Sequence, residues 1–334
     1  MAMPAILEFK KIIPENCGLF IITPAYMTEL FESMPIVDQV IPLSKAHAMW
    51  SKAECKAIRQ LRAGAVILLN HSPRDAFSAR IAGIPEVYGA ARRGRSFLLT
   101  RALKFPRRTP GDPKHSHQTM RYLALTSALG APQWHGELPE FTPCVPLQEC
   151  SPELRAICAH PQLLLLAAGA AYGAAKRWPE ENFVSVARYW IRHGGIVAIL
   201  GSKSEQEIGE RIHSCLPENK AFNLCGKTGM CALIHLFKSA SYTVANDSGL
   251  MHLGAILDTN GIVPFGPTDF TDTGPITPKW KILSDRVPCA PCLKHSCPKG
   301  EKICMTPLTA ARIIREIRKA AASLKFPFRK LPKK

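Results

Sequence analysis

Short apolar runs alternate along this chain with longer stretches of helix-forming residues. Residues 18–24 (Gly-Leu-Phe-Ile-Ile-Thr-Pro) are a brief apolar run closed by proline, which predicts a buried strand. Residues 25–33 read as a helix and residues 37–42 as a second strand. Residues 51–62 carry helix formers ahead of Gly64, and residues 65–70 (Ala-Val-Ile-Leu-Leu-Asn) give a third strand. Strands that are apolar on both faces and separated by helices predict a parallel sheet covered on both sides. Residues 105–114 are rich in Pro, Arg and Gly and read as a loop, and residues 117–129 as a helix.

Residues 131–152 hold several prolines and no clear period, which places a domain linker there. A second alternating series follows. Strands are predicted at 163–167, 195–200, 221–224, 242–246 and 261–265, with helices at 179–193, 205–216, 230–239, 250–257 and 309–324. Trp178-Pro179 opens the first of these helices, where proline is tolerated. No internal repeat or low-complexity segment interrupts the series. The expected architecture is α/β: two doubly wound, Rossmann-like domains over residues 1–150 and 151–334, facing a cleft.

At 334 residues the chain exceeds one compact core, in keeping with two domains. Its hydrophobic content of 46% excludes disorder. No run reaches the roughly 18 apolar residues of a membrane span, and the longest, 163–175, is broken by Gly169 and Gly173. No basic segment precedes an apolar one near Met1, so no signal peptide is read and the expected location is cytoplasmic. The twelve cysteines are then expected to be mostly free thiols, and the Asn70 and Asn246 sequons carry no sugar. The formal net charge of +17 attracts polyanions. Basic clusters lie at Arg92, Arg93, Arg95 and Arg101, at Lys104, Arg107 and Arg108, and in the tail Arg329, Lys330, Lys333 and Lys334. Taken alone these are a solvated surface. Without a recognised motif or interleaved aromatics, nucleic acid is not an expected partner.

Asn246-Asp-Ser-Gly-Leu-Met-His252 joins a strand to a helix, the place where α/β folds hold ligands. Ser248 and Gly249 would open that helix, whose free N–H groups favour a phosphate. Asp247 is either a helix cap or part of the pocket, and His252 either a satisfied core residue or a face of the same site. Phe265-Gly-Pro-Thr-Asp269 with Thr273-Gly-Pro275 is ordinary turn chemistry or a second wall. Lys176 could clamp a diphosphate, although a lysine there is also an ordinary surface residue. Glu205, just past Gly201, could accept from ribose hydroxyls or serve as a helix-start acid. Gly226-Lys-Thr228 lacks the first glycine of a P-loop, and no Gly-x-Gly-x-x-Gly follows a strand. Cys289, Cys292, Cys297 and Cys304 approximate a four-thiolate zinc site, with a second pair spaced more widely than usual; the other reading is packing or reduced thiols. A structural role is expected for them, since no acid–base pair lies nearby in the chain.

Taken together these segments resemble glycosyltransferase family 9, the ADP-heptose:lipopolysaccharide heptosyltransferases. The matching stretches are Gly169-Ala-Ala-Tyr-Gly-Ala-Ala-Lys-Arg-Trp-Pro179, Leu200-Gly201 with Glu205, Asn246-Asp-Ser-Gly-Leu-Met-His-Leu-Gly254, Phe265-Gly-Pro-Thr-Asp269, Thr273-Gly-Pro275 and residues 289–305. Looser matches are Pro35-Ile-Val-Asp-Gln-Val-Ile41, Ala82-Gly-Ile-Pro85 and Arg121-Tyr-Leu-Ala-Leu125. The resemblance implies the GT-B fold and inverting, metal-independent transfer of heptose from ADP-heptose to the inner core of lipopolysaccharide, at the inner-membrane surface and with no required cofactor. It implies donor contacts from Lys176, Gly201, Glu205, Asp247, Ser248, Gly249 and His252, with Ser248 keeping the hydroxyl of a frequent threonine. Arg92, Arg93 and Arg95 are the implied acceptor contacts, for a Kdo-lipid A type anion.

The family begins with a strand and a Gly-Asp turn whose aspartate acts as base. Met1-Ala-Met-Pro-Ala-Ile-Leu-Glu-Phe-Lys10 corresponds to the helix after that turn. The expectation is therefore a start codon placed downstream of the true one. The strands near 18–24 and 65–70 should then lack a shared partner, and the polypeptide beginning at Met1 should transfer sugar poorly. Three other readings stand beside the transferase: use of another nucleotide sugar, an inactive nucleotide-sugar binder without the base, and a basic nucleic-acid binder.

Overall fold

The computed structural model describes residues 1–107, 109, 111–285 and 287–323. Arg108, the basic tail Arg329, Lys330, Lys333 and Lys334, and the last residue of the expected closing helix lie outside the described residues. The chain divides into two compact units, Met1–Cys144 and Val145–Lys334, a few residues before the expected break.

The first unit runs α1 (Met3–Lys10), β1 (Phe20–Pro24), α2 (Thr28–Glu32), β2 (Gln39–Leu43), α3 (Lys52–Gln60) and β3 (Ala65–Leu68). It continues α4 (Pro73–Ile81), β4 (Glu86–Ala90), β5 (Arg101–Leu103), α5 (Pro113–Ser116) and α6 (Gln118–Ser127). All its strand pairs are parallel, and they form two separate sheets, β1-β2 and β3-β4-β5. Among the described residues β1 pairs only with β2 and β3 only with β4, so the two strands near 18–24 and 65–70 share no partner. One core nevertheless runs under both sheets, joining Ile41, Leu68 and Val87 to Trp50, Ile58 and Ala79.

The second unit runs α7 (Pro152–Cys158), β6 (Leu163–Ala167), α8 (Glu180–Arg192), β7 (Ile196–Ile199), α9 (Gln206–His213) and β8 (Ala221–Asn223). Then follow α10 (Met230–Ser239), β9 (Tyr242–Ala245), α11 (Gly249–Ile256), β10 (Gly261–Phe265), α12 (Phe270–Thr273), β11 (Trp280–Ser284) and α13 (Ala310–Ser323). Six parallel strands lie in the order β11-β10-β9-β6-β7-β8. Every residue of β6, β7, β9 and β10 is buried, which is why these strands read as unbroken apolar runs. Helices α8 and α13 pack together on one face, where Trp178, Phe183, Trp190, Ile313 and Ile317 share a core with Leu164 and Val197.

Not expected from the sequence are α4, β4, β5, α5, α7, α12 and β11. The omitted strands carry exposed charged residues, Glu86, Arg101 and Lys281, because they sit where only part of the strand is covered. The helix expected over 25–33 is a tight 3-10 turn, Ala25–Met27, followed by the short α2. Ten of the twelve cysteines are free thiols.

Candidate functional site

In the second unit, four loops leave the carboxyl ends of adjacent parallel strands and carry the donor candidates. The loop after β9 holds Asn246-Asp-Ser-Gly249. Asn246 is fully buried and works as a strap. Its Nδ2 donates to the carbonyl of Ala168 at 2.6 Å, and its Oδ1 accepts from Trp178 N at 3.0 Å. These bonds clamp the two ends of the loop after β6, which carries Lys176. They also leave no free amide for a glycan.

Lys176 is no loose surface lysine. Its side chain is 14% exposed, and Nζ lies 2.7 Å from Asp247 Oδ2 and 4.8 Å from the centre of the Tyr172 ring. Thr268, on the loop after β10, donates its hydroxyl to the same Asp247 oxygen at 2.7 Å. Asp247 therefore does not cap α11. Ser248 occupies the cap position in extended conformation without a side-chain cap bond, and its Oγ is buried with no partner among the described residues. The eight-residue helix α11 thus presents its first N–H groups, Gly249 and an uncommitted hydroxyl beside a lysine. Such an arrangement suits an anion, through the helix dipole and the open N–H groups together. His252 stands one turn inside α11, half-buried, with its N–H bonded to Ser248 O at 3.3 Å.

Glu205, on the loop after β7, is buried and closes a capping box: its Oε2 accepts from Ser202 N at 2.8 Å and Ser202 Oγ at 2.9 Å. Of its two readings the structure shows the helix-start acid, standing at a strand end. It is pressed against Gly169, where a Cβ would lie 1.9 Å from Oε1, and Gly201 is similarly close at 3.2 Å. Glycine at 169 is required for β6 and β7 to bring these loops together. Asp269 caps α12, accepting from Thr271 N at 3.0 Å.

In the first unit the acceptor candidates divide into two kinds. Arg92 and Arg93 are exposed, with Arg93 in left-handed conformation at φ 53°. Arg95 is fully buried: Nε donates to Ala90 O at 3.1 Å and Nη1 to Ser72 O at 3.2 Å, while Nη2 has no hydrogen-bond partner among the described residues. A Cβ at Gly89 would sit 2.8 Å from Nη2, so that glycine makes room for the guanidinium. Around Phe105 gather the Arg121 guanidinium at 4.3 Å, that of Arg92 at 5.4 Å and the His71 ring at 4.7 Å. Burial first, then Arg95, Arg92, Arg121 and Arg93, hold His71 below its ordinary pKa, and its buried Nδ1 has no hydrogen-bond partner among the described residues. His71 and Phe105 carry no signal in the sequence, because each comes from a segment remote from the motif it joins, while Arg121 and Thr268 lie inside matched stretches whose contacts only the fold shows.

The four cysteines Cys289, Cys292, Cys297 and Cys304 line one small cavity. Among the described residues no three His, Cys, Asp or Glu side chains are gathered closely enough to hold a metal ion.

The sequence profile of glycosyltransferase family 9 (heptosyltransferase) matches residues 53–303. The chain is 28% identical over 290 residues to lipooligosaccharide heptosyltransferase 2 of Haemophilus influenzae, a match covering 82% of this chain and 81% of the relative. Among solved structures, the ADP-heptose LPS heptosyltransferase II of E. coli superposes with a TM-score of 0.75 at 22% identity, covering 97% of this chain and 95% of that one. A family 9 glycosyl transferase from Veillonella parvula superposes at 0.81 and 19% identity, covering 96% and 93%. The likeness is one of fold, GT-B.

Proposed function

The chain belongs to glycosyltransferase family 9 (heptosyltransferase), and from that premise we propose that it transfers heptose from ADP-heptose to an anionic acceptor of the lipopolysaccharide inner core. The observation that carries the donor half is the Lys176–Asp247–Thr268 array beside the N-terminus of α11. A diphosphate entering there takes the Lys176 ammonium as partner and accepts from the N–H groups of α11 and the Ser248 hydroxyl. Glu205 accepts from the ribose hydroxyls, with Gly201 and Gly169 leaving the backbone open to approach, and His252 faces the donor from the same helix.

The transfer is an inverting single displacement. The acceptor oxygen bonds to the anomeric carbon as the bond from that carbon to the β-phosphate oxygen breaks, and ADP leaves with the electron pair. Lys176 and the α11 amides stabilise the charge growing on the leaving diphosphate, so the step needs no metal ion. The acceptor proton goes to a general base. The resemblance assigns that role to a Gly-Asp aspartate, which no described residue matches. His71, Arg92, Arg93 and Arg121 receive the acceptor's carboxylates or phosphates, with buried Arg95 setting the local positive field. The net charge of +17 suits work at the anionic cytoplasmic face of the inner membrane, and no described helix is long and apolar enough to cross it.

Calorimetric titration of ADP into the wild-type chain and Lys176→Ala tests the donor assignment. The variant is expected to bind ADP more weakly by about 1.5–3 kcal/mol, the range for a hydrogen bond to a charged group. Unchanged affinity overturns it.

A further inference from the structure

The segment 289–304 joins two elements of the second unit and carries four thiols that the transfer reaction does not use. Cys289, Cys292, Cys297 and Cys304 line a single cavity together with Lys302 and Ile303. All four are free. Cys289, Cys292 and Cys297 are only half-buried, so they are not core filler, and Cys304 is buried against Gly266, where a Cβ would lie 2.9 Å from its Sγ.

The chain bends sharply between these cysteines. Leu293, directly after Cys292, sits at φ 56°, Gly300 at 75° and Lys302 at 45°. Two of these are side-chain-bearing residues in the left-handed region, which costs energy unless the surroundings demand it. The bends follow the second and third cysteines.

We propose that Cys289, Cys292, Cys297 and Cys304 bind one zinc ion as a closed four-thiolate site of structural role. Four thiols lose their protons to solvent as Zn²⁺ enters and four Zn–S bonds form, leaving a net charge of −2 that Lys299 and Lys302, both on the cavity wall, offset. The sulfurs are not yet gathered in the structure. Binding therefore draws the segment tighter, with Zn–S bonds of about 2.3 Å. Four protein ligands leave no open position, so the ion takes no part in chemistry.

Its effect is on the wall behind the donor site. Ala175 N donates to His295 O at 3.0 Å, Tyr172 stacks on His295 at 4.0 Å, and Lys302 Nζ donates to Arg177 O at 3.5 Å. At Gly173 a Cβ would meet His295 O at 2.4 Å, so the two loops are in backbone contact. The loop that carries Lys176 leans on the loop that carries the cysteines.

Elemental analysis of tag-free protein, grown with zinc and purified under reducing conditions, is expected to give about one zinc per chain, as a single closed site requires. Cobalt substitution should produce the intense thiolate-to-cobalt charge-transfer absorption of a tetrahedral sulfur site. Cys292→Ser and Cys297→Ser should lose the ion, and Cys215→Ser, on the exposed surface elsewhere, should keep it. Should the serine variants fail to fold, the cobalt spectrum of the wild-type chain decides. Less than about a tenth of an equivalent after reconstitution, no charge-transfer band, full zinc in both serine variants, or iron held in preference to zinc each overturns the proposal.

Discussion

At the scale of single residues the site works by diverting side chains from their local options. Asp247 stands one position before a helix cap, yet it pairs with Lys176 and Thr268 from two other loops. The helix end is left open for a ligand as a result. His71 is the corresponding case in the first unit. Burial and four arginines keep it neutral in the fold. In the unfolded chain it takes a proton near pH 6.5, whereas in the fold it does so only at lower pH. The unfolded state then binds more protons in that window, so the chain loses stability as pH falls through it. His71→Gln should remove this component. Denaturant unfolding of both forms at about pH 7.5 and about pH 5.5 measures it, and an equal loss in the two forms refutes the assignment.

At the scale of elements, the second unit owes its order to helices docked on a sheet buried on both faces. Helix α13 places Ile313 and Ile317, almost wholly buried, against α8 and Trp178. Its start is tied by two bonds from the Arg312 guanidinium to Asp285, at 2.6 and 2.9 Å. This half-buried pair, still open to solvent, contributes little by itself, and the apolar stripe does the holding. Ile313→Ala is therefore expected to lower unfolding stability by about 2–5 kcal/mol, the usual cost of emptying such a position. A change under about 1 kcal/mol in denaturant titration, within the range of surface substitutions, would place Ile313 outside the core. In the first unit, α3 and α4 hold two sheets over one core although β1 and β3 do not pair. Side-chain burial, not strand hydrogen bonding, joins those halves.

At the scale of the whole molecule, the excess of basic residues is the dominant field. With a net charge of +17, attraction to an anionic surface is expected without any dedicated anchor. Binding to vesicles of mixed anionic and neutral lipid should weaken steeply between about 50 mM and about 500 mM salt, because the Debye length falls well below the spacing of surface charges. Sedimentation of the chain with such vesicles measures this, and retention that ignores salt would mean that apolar insertion carries the contact instead. The same titration with duplex DNA separates a general polyanion effect from a preference for the membrane.

The alternating fold, five of the second unit's six strands and the motifs at their ends are written along the chain itself. Strands β6, β7, β9 and β10 are covered on both faces, so all of their positions but Thr243 are apolar and the runs stand out in one dimension. Strand-end loops follow from the strands, which is why Lys176, Glu205 and Asp247 could be placed beforehand. Tertiary structure alone decided what these residues touch. Lys176 and Asp247 meet only because β6 and β9 are neighbours in the sheet, and Thr268 joins them because β10 is next. Likewise Arg95 reads as one more surface arginine, yet it fills the space that Gly89 leaves and is wholly buried. His71, Phe105 and Arg121 come from three segments with no shared motif and gather into one cluster. Hydrophobic periodicity is a local property that the chain carries along its length. Pairing of charges depends on which strand ends are adjacent, and only the folded sheet sets that.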